Sequence, residues 1–329
     1  MAYFPVSSSI LSAAQLAVFL QDRYALSPDV SCSLLRAGIN HTYLVTDGAT
    51  KYVFRVYSYG WRTQDEIAEE IRLLLQLKEN NIPVSYPLTG KHGHYIQMLP
   101  APEGERPGVL FSFAPGEKLH LVPEEAHYRT GVLMGRLHQA TGQIELNRIS
   151  YTPQVLLQDP LPYLAQFLPA ATAEMEFMQR TQAQLLEVFA TADTAQLRRG
   201  VVHLDIWFDN INVAGDETTI FDFDFCGNGW LALDVAYYVM QLHNVEKYEP
   251  KDYGPKVAAF LAGYTSVCTL TGEEQRLLPA LGLSLYFFYL GIQCRRYENW
   301  SNSFLNENYL KRFINGLVKR YHDMYPFRQ

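Results

Sequence analysis

Cysteine is scarce in this chain, and the four present (Cys32, Cys226, Cys268 and Cys294) form no C-x-x-C pair. Such scatter excludes a disulfide frame or a zinc ribbon and fits reduced thiols in a cytoplasmic protein. A basic excess is also missing. Lys and Arg number 27 against 34 Asp and Glu, a formal net charge of −7, which rules out nucleic-acid binding driven by a basic surface. No run approaches the ~18 consecutive apolar residues of a membrane span. The apolar stretch from Ile10 to Leu20 lacks the basic flank of a signal peptide and reads as an amphipathic helix capped near Ser12. Internal repeats and low-complexity tracts are absent from the sequence. What is there is apolar bulk: 48% hydrophobic and 13% aromatic residues, enough for sizeable cores. At ~150 residues per domain, the length suggests two compact units or one unit with two lobes.

From Val30 to about Phe113 the pattern is mostly strands and turns. Tyr43 to Thr46 and Tyr52 to Tyr57 are rich in β-branched and aromatic residues, and Asp47-Gly48 between them signals a hairpin with a rather loose turn. One helix interrupts the strands. Thr63 and Glu66 have the spacing of a capping box, Ile67, Ile71, Leu74 and Leu77 recur at helical spacing, and Asn80-Asn81-Ile82-Pro83 ends the run. Tyr95 to Leu99 and Gly108 to Phe113 read as two further strands separated by the Pro/Gly/Glu-rich segment Pro100 to Pro107. After Ala114-Pro115-Gly116 the character changes to long helical stretches, among them Tyr128 to Ala140 and Ala173 to Ala192.

The chemistry concentrates in Val201-Val202-His203-Leu204-Asp205-Ile206-Trp207-Phe208-Asp209-Asn210 and in Ile220-Phe221-Asp222-Phe223-Asp224-Phe225. Polar groups set this deep in apolar flanks are expensive unless paired or bound to a metal. Asp205, Asn210 and Asp222 converging on one site would offer the hard oxygen donors that Mg²⁺ prefers. The spacing H-x-D-x-x-x-x-N with a downstream Asp matches a kinase catalytic loop and its metal-binding carboxylate. With the tail Asp222-Phe223 to Gly227 and then Asp234-Val235-Ala236, the segment resembles the aminoglycoside phosphotransferase/choline kinase superfamily.

That resemblance implies an α+β, bilobed, protein-kinase-like fold. Residues 1–113 would form an N-terminal antiparallel β-sheet lobe that binds nucleotide, and residues 114–329 a larger, mostly helical catalytic lobe, with ATP in the cleft between them. It implies a cytoplasmic phosphotransferase that uses ATP and Mg²⁺ on a hydroxyl of a small molecule, with no nucleic-acid or membrane partner. The acceptor classes it admits are aminoglycoside, choline, homoserine and sugar-like molecules, cationic ones included. Asp205 would orient the acceptor hydroxyl and take its proton, and Asn210 and Asp222 would hold Mg²⁺. His203 would scaffold the loop, braced by Asp234 from a helix start. Val53 would line the adenine pocket, with Arg55 two residues on, on the same strand face, reaching the phosphates. Arg replaces the Lys usual in the family. Glu70, on the inward face of the helix after Thr63, would pair with Arg55, whereas Glu69 sits on the outer side with Arg72. Gly38 and Asn40 would belong to a loop over the phosphates, and the backbone around Ser112 and Phe113 would read adenine.

Within the catalytic loop, three positions depart from the pattern. Leu204 stands where small-molecule kinases usually have Gly, and Trp207 and Phe208 replace smaller residues. Competing possibilities are a stress-response-type Ser/Thr protein kinase, a non-catalytic nucleotide-binding module, and an iron enzyme using His203, Asp205 and His243 as ligands. Tyr297, Glu298 and Trp300 are candidates for an aromatic and acidic cage around a cationic acceptor.

Overall fold

A computed structural model describes residues 4–118, 123–246, 250–298 and 302–325. The chain divides into two compact units: the first runs to Gly116 and takes back Thr219–Phe221, and the second begins at Glu117.

The first unit opens with helix α1 (Ala13–Tyr24), where the Ser12 side chain accepts a hydrogen bond from Gln15 N. Five antiparallel strands follow, β1 (Ser31–Ala37), β2 (His41–Asp47), β3 (Thr50–Val56), β4 (Ile96–Ala101) and β5 (Gly104–Ser112), in the spatial order β1-β2-β3-β5-β4. The β2–β3 turn is tighter than its sequence suggested. Pairing continues to Asp47 opposite Thr50, so Gly48 and Ala49 alone close the hairpin, and Gly48 takes the positive φ of 60° that such a turn needs. The segment Pro100 to Pro107 does not separate two strands but is the tip of the β4–β5 hairpin, paired down to Ala101 opposite Gly104. Pro100 is tolerated there because β4 is an edge strand.

Alternation along β3 sends Phe54 and Val56 into a core with Leu16, Leu20, Tyr43, Val45 and Leu110. The opposite face carries Val53 and Arg55. Helix α2 (Gln64–Glu79) has the expected capping box between Thr63 and Glu66, and it buries Ile67, Ile71, Leu74 and Leu77. Glu70 is buried with them, and its Oε1 lies 2.8 Å from Arg55 Nη1. The Tyr57 hydroxyl donates to Glu70 Oε2 (3.0 Å), and the Arg55 guanidinium lies over the rings of Tyr57 and Phe111. Glu69 turns outward to Arg72.

The second unit is mostly helical. Its elements include α3 (Glu124–Thr141), α4 (Pro160–Leu164), α5 (Ala173–Ala190), the strands β6 (Arg199–Val202), β7 (Ile211–Ala214), β8 (Glu217–Ile220, whose last two residues count with the first unit) and β9 (Gly227–Trp230), then α6 (Ala232–Val245), α7 (Pro250–Thr265) and α8 (Gly272–Arg295). Short strands pair as β6–β9 and as the hairpin β7–β8. α8 is long and apolar enough in composition to cross a bilayer, but 78% of its most apolar window is buried inside the protein, as in a core helix. α3 and α7 approach closely on glycine. A Cβ on Gly263 would lie 1.9 Å from Tyr128 O, and one on Gly131 would lie 2.1 Å from Phe260 O.

Two stability changes follow from these contacts. Gly263→Ala should destabilise the protein by about 1–3 kcal/mol through forced separation of α3 and α7, despite alanine's greater helix propensity. A lowered urea midpoint checks this. Glu70→Ala should cost about 3–5 kcal/mol, because it leaves the Arg55 charge buried without its carboxylate; chemical denaturation followed by Trp fluorescence measures this.

Candidate active site

Strand β6 delivers the chain to His203, Leu204 and Asp205, and the start of α6 holds it there. Asp234, in the first turn of α6 and fully buried, accepts hydrogen bonds from His203 N (2.9 Å) and Leu204 N (2.6 Å). His138 of α3 places its Nε2 3.1 Å from the same carboxylate, and its Nδ1 is 2.8 Å from the Tyr264 hydroxyl. The bracing role the resemblance implies for Asp234 thus has a geometric counterpart. Between these anchors Leu204 adopts φ 60°, the left-handed region in which glycine is unstrained and a larger residue costs about 1–2 kcal/mol. That conformation accounts for the glycine usual at this position. Here the strain is offset by the Asp234 bonds, by full burial of the Leu204 side chain, and by a hydrogen bond from the Tyr289 hydroxyl to Leu204 O.

His203 does not face outward as a proton carrier would. Its Nδ1 accepts from Asp205 N (3.0 Å), and its ring packs on Phe223 at 4.3 Å between centroids. The imidazole therefore links the loop bearing Asp205 to the loop bearing Asp222. Asp205 itself is half-buried and held through both oxygens. Asn210 Nδ2 donates to Oδ2 (2.7 Å) and to Asp205 O (2.9 Å), while the Tyr237 hydroxyl donates to Oδ1 (2.5 Å). Burial and the neighbouring Asp205 charge push Tyr237 well above the ordinary phenol range, so its hydroxyl keeps its proton and remains a donor.

Asp222 also has a left-handed backbone, φ 67°, at the entry to the short turn Phe223–Phe225. That turn is clamped from below: Arg148 donates to Asp224 O (2.6 Å) and to Cys226 Sγ (3.1 Å), and the Tyr151 hydroxyl donates to Phe225 O (2.5 Å). With the Asn210 amide nitrogen committed to Asp205, its Oδ1 is the atom able to ligate a cation. Asn210 Oδ1 and the Asp222 carboxylate are hard oxygen donors, a set that fits Mg²⁺ and not a soft metal.

In the first unit, the Arg55–Glu70 pair forms as expected, beside Val53 on one face of β3. The turn between β1 and β2, where the resemblance implies a loop over the phosphates, is tied down by its own hydrogen bonds. Asn40 Oδ1 accepts from Ser58 N (3.1 Å), which ties the turn to the chain after β3. Gly38 has an ordinary φ and room for a Cβ, so the backbone there does not require glycine. Ser112 also serves the architecture, since its N donates to Tyr86 O (2.8 Å) and its carbonyl accepts from the Ser85 hydroxyl. Phe113 lies under the Lys51 ammonium at 5.6 Å.

His243 is not brought to His203 and Asp205. His243 is buried against Tyr253 and Tyr321 and is pushed down to about 4 by burial and Arg320. Among the described residues no three His, Cys, Asp or Glu side chains could hold a metal ion, which removes the iron triad. Tyr297 is exposed with its ring edge-on to Phe167, and Trp300 lies outside the described residues. Phe208 packs on His127 and Tyr238. The residues missed in the sequence are Tyr237, Tyr289 and His138. The available signal was the spacing of Asp234, Tyr237 and Gln241, polar groups recurring on one face of an otherwise apolar helix.

Known proteins resemble this chain in sequence and in fold. A homoserine kinase of Methylobacillus glycogenes is 29% identical over 75% of this chain and 74% of its own length. The fold is shared with a microcompartment-associated aminopropanol kinase (TM-score 0.78, 21% identity, 96% of this chain and 99% of that one). It is shared equally with an amicoumacin kinase solved with AMP-PNP and Ca²⁺ (TM-score 0.77, 18% identity, 97% and 96%). The protein-kinase-like α+β architecture is thereby established, and because the model of the phosphotransferase enzyme family matches residues 31–270, the chain belongs to that family.

Proposed function

We propose that this phosphotransferase moves the γ-phosphoryl group of ATP, bound with Mg²⁺, to the hydroxyl of a small molecule that also carries an amine. The observation that carries this is the Asp205 carboxylate, gripped by Asn210 and Tyr237 on a loop whose backbone is anchored to Asp234. Homoserine and aminopropanol, named for two of the relatives, each combine a hydroxyl and an amine, which supports the acceptor class. The AMP-PNP and Ca²⁺ of the amicoumacin kinase support a nucleotide with a divalent cation.

In this mechanism Asp205 orients the acceptor hydroxyl and takes its proton as the oxygen bonds to the γ-phosphorus and the bond to the β-phosphate oxygen breaks. Asn210 Oδ1 and Asp222 hold the cation, which supplies neutralisation of the triphosphate charge when bound. Arg55, oriented by Glu70 and Tyr57, contributes a guanidinium suited to bidentate phosphate contact. Val53 lines the base pocket, and the backbone at Phe113 contributes to adenine recognition. Catalysis of this kind is mostly positioning and charge neutralisation. Only four residues, Phe223 to Cys226, separate Asp222 from β9, which leaves no room for an activation loop and favours a small-molecule acceptor over a phosphorylation-controlled protein kinase.

Asp205→Asn should lower transfer by about 10²–10⁴-fold while nucleotide binding is retained. The measurement is ADP release against a panel of amino alcohols, beginning with homoserine and 1-amino-2-propanol, with Mg·ATP thermal shift as the binding control. Undiminished turnover in the variant would refute the assignment of Asp205.

A further inference from the structure

The Tyr237 hydroxyl on Asp205 is the end of a longer chain of hydrogen bonds. Tyr286 of α8 donates to Asn244 Oδ1; Asn244 Nδ2 donates to Gln241 Oε1 (3.3 Å); Gln241 Nε2 donates to the Tyr237 hydroxyl (2.9 Å); and that hydroxyl donates to Asp205 Oδ1 (2.5 Å). Tyr237, Gln241 and Asn244 are spaced i, i+4 and i+7 on α6, so the chain follows one helix face for two turns. Every link points the same way, each donor toward the carboxylate. Hydrogen bonds joined in this sense polarise one another.

A Tyr buried among aromatic neighbours needs one partner for its hydroxyl. This one has a carboxamide behind it and a carboxylate ahead, and Tyr289 packs on its ring at 5.5 Å between centroids. Asp205 accepts from Tyr237 on Oδ1 and from Asn210 on Oδ2, so each oxygen is held from a different element and the rotation of the carboxylate is fixed.

We infer that the α6 chain Asn244–Gln241–Tyr237 is a positioning relay for the phosphotransfer step: it fixes the rotation of the Asp205 carboxylate, and Tyr237 is a positioning residue for the reaction. The inference rests on Asp205 as the residue that receives the acceptor hydroxyl. A merely structural tyrosine would affect stability alone, whereas a relay couples its members in turnover.

The test is a double-mutant cycle in kcat on the full chain, per nucleotide-binding site. Tyr237→Phe should lower kcat by about 10–100-fold, the loss of one hydrogen bond to a charged group, with KM for ATP unchanged. Gln241→Leu alone should lower it by about 3–10-fold, and added to Tyr237→Phe it should lower it no further. Multiplicative losses in the double variant, or wild-type kcat in Tyr237→Phe, would overturn the relay. Full turnover in Asp205→Asn would instead overturn the assignment of Asp205. A readout independent of acceptor is the Tyr237 hydroxyl proton by NMR, expected as a slowly exchanging downfield signal that vanishes in Tyr237→Phe and shifts in Gln241→Leu. An unshifted signal in Gln241→Leu would also count against the relay.

Discussion

The buried carboxylate of Asp234 accepts the N–H groups of His203 and Leu204 and faces the His138 imidazole, and the candidate active site depends on that anchor. A carboxylate with no exposed surface is tolerated only when its lone pairs are occupied, and here main-chain donors occupy them. The consequence runs outward along the chain. Leu204 is held in a left-handed conformation, the backbone turns, and Asp205 emerges with its N–H on His203 and its carboxylate between Asn210 and Tyr237. His203, packed on Phe223, carries the same order across to the loop of Asp222. Chemistry that works by positioning needs such a framework more than it needs reactive side chains.

Two departures from the family pattern, Leu204 and Arg55, have different physical weight. Leu204 in place of glycine introduces backbone strain, but the structure surrounds it with compensation: two N–H bonds to Asp234, one accepted hydroxyl from Tyr289, and an apolar pocket for the side chain. Strain held in this way at a functional loop is a recurring feature of active sites. Arg55 in place of Lys changes the geometry of the cation. A planar guanidinium can lie over the rings of Tyr57 and Phe111 and still present an edge to Glu70, which a tetrahedral ammonium cannot do as well. Its burial with Glu70 ties β3 to α2, so the same pair serves the packing of the sheet and the orientation of the cation.

Aromatic residues organise the second unit around the site. Tyr237 and Tyr289 pack together and reach opposite ends of the Leu204–Asp205 peptide, one through a side chain and the other through a carbonyl. Phe208, Tyr238, His127 and Phe260 form a neighbouring cluster beneath the loop. The bulky Phe208 noted in the sequence is therefore accounted for by packing. The close glycine crossing of α3 and α7 brings His138 and Tyr264 near enough to complete the support of Asp234.

Local pattern was enough to read the elements with their own signatures: the capping box and apolar face of α2, the Ser12 cap of α1, the alternation of β3, and the H-x-D-x-x-x-x-N loop with its downstream Asp. Those features depend on residues a few positions apart, whose relation a helix or strand period already defines. The Arg55–Glu70 pair was legible for the same reason, since an inward carboxylate needs a cation and the strand offered one. Turn details were read less well: the β2–β3 and β4–β5 hairpins are tighter than composition implied, because strand pairing extends until a glycine with positive φ can close it. The supports of Asp205 beyond its own loop were out of reach. His138 is 96 residues from Asp234, and Tyr289 is 85 from Leu204. No period connects such residues; only the packing of α3, α6 and α8 around β6 puts their polar atoms within hydrogen-bonding distance.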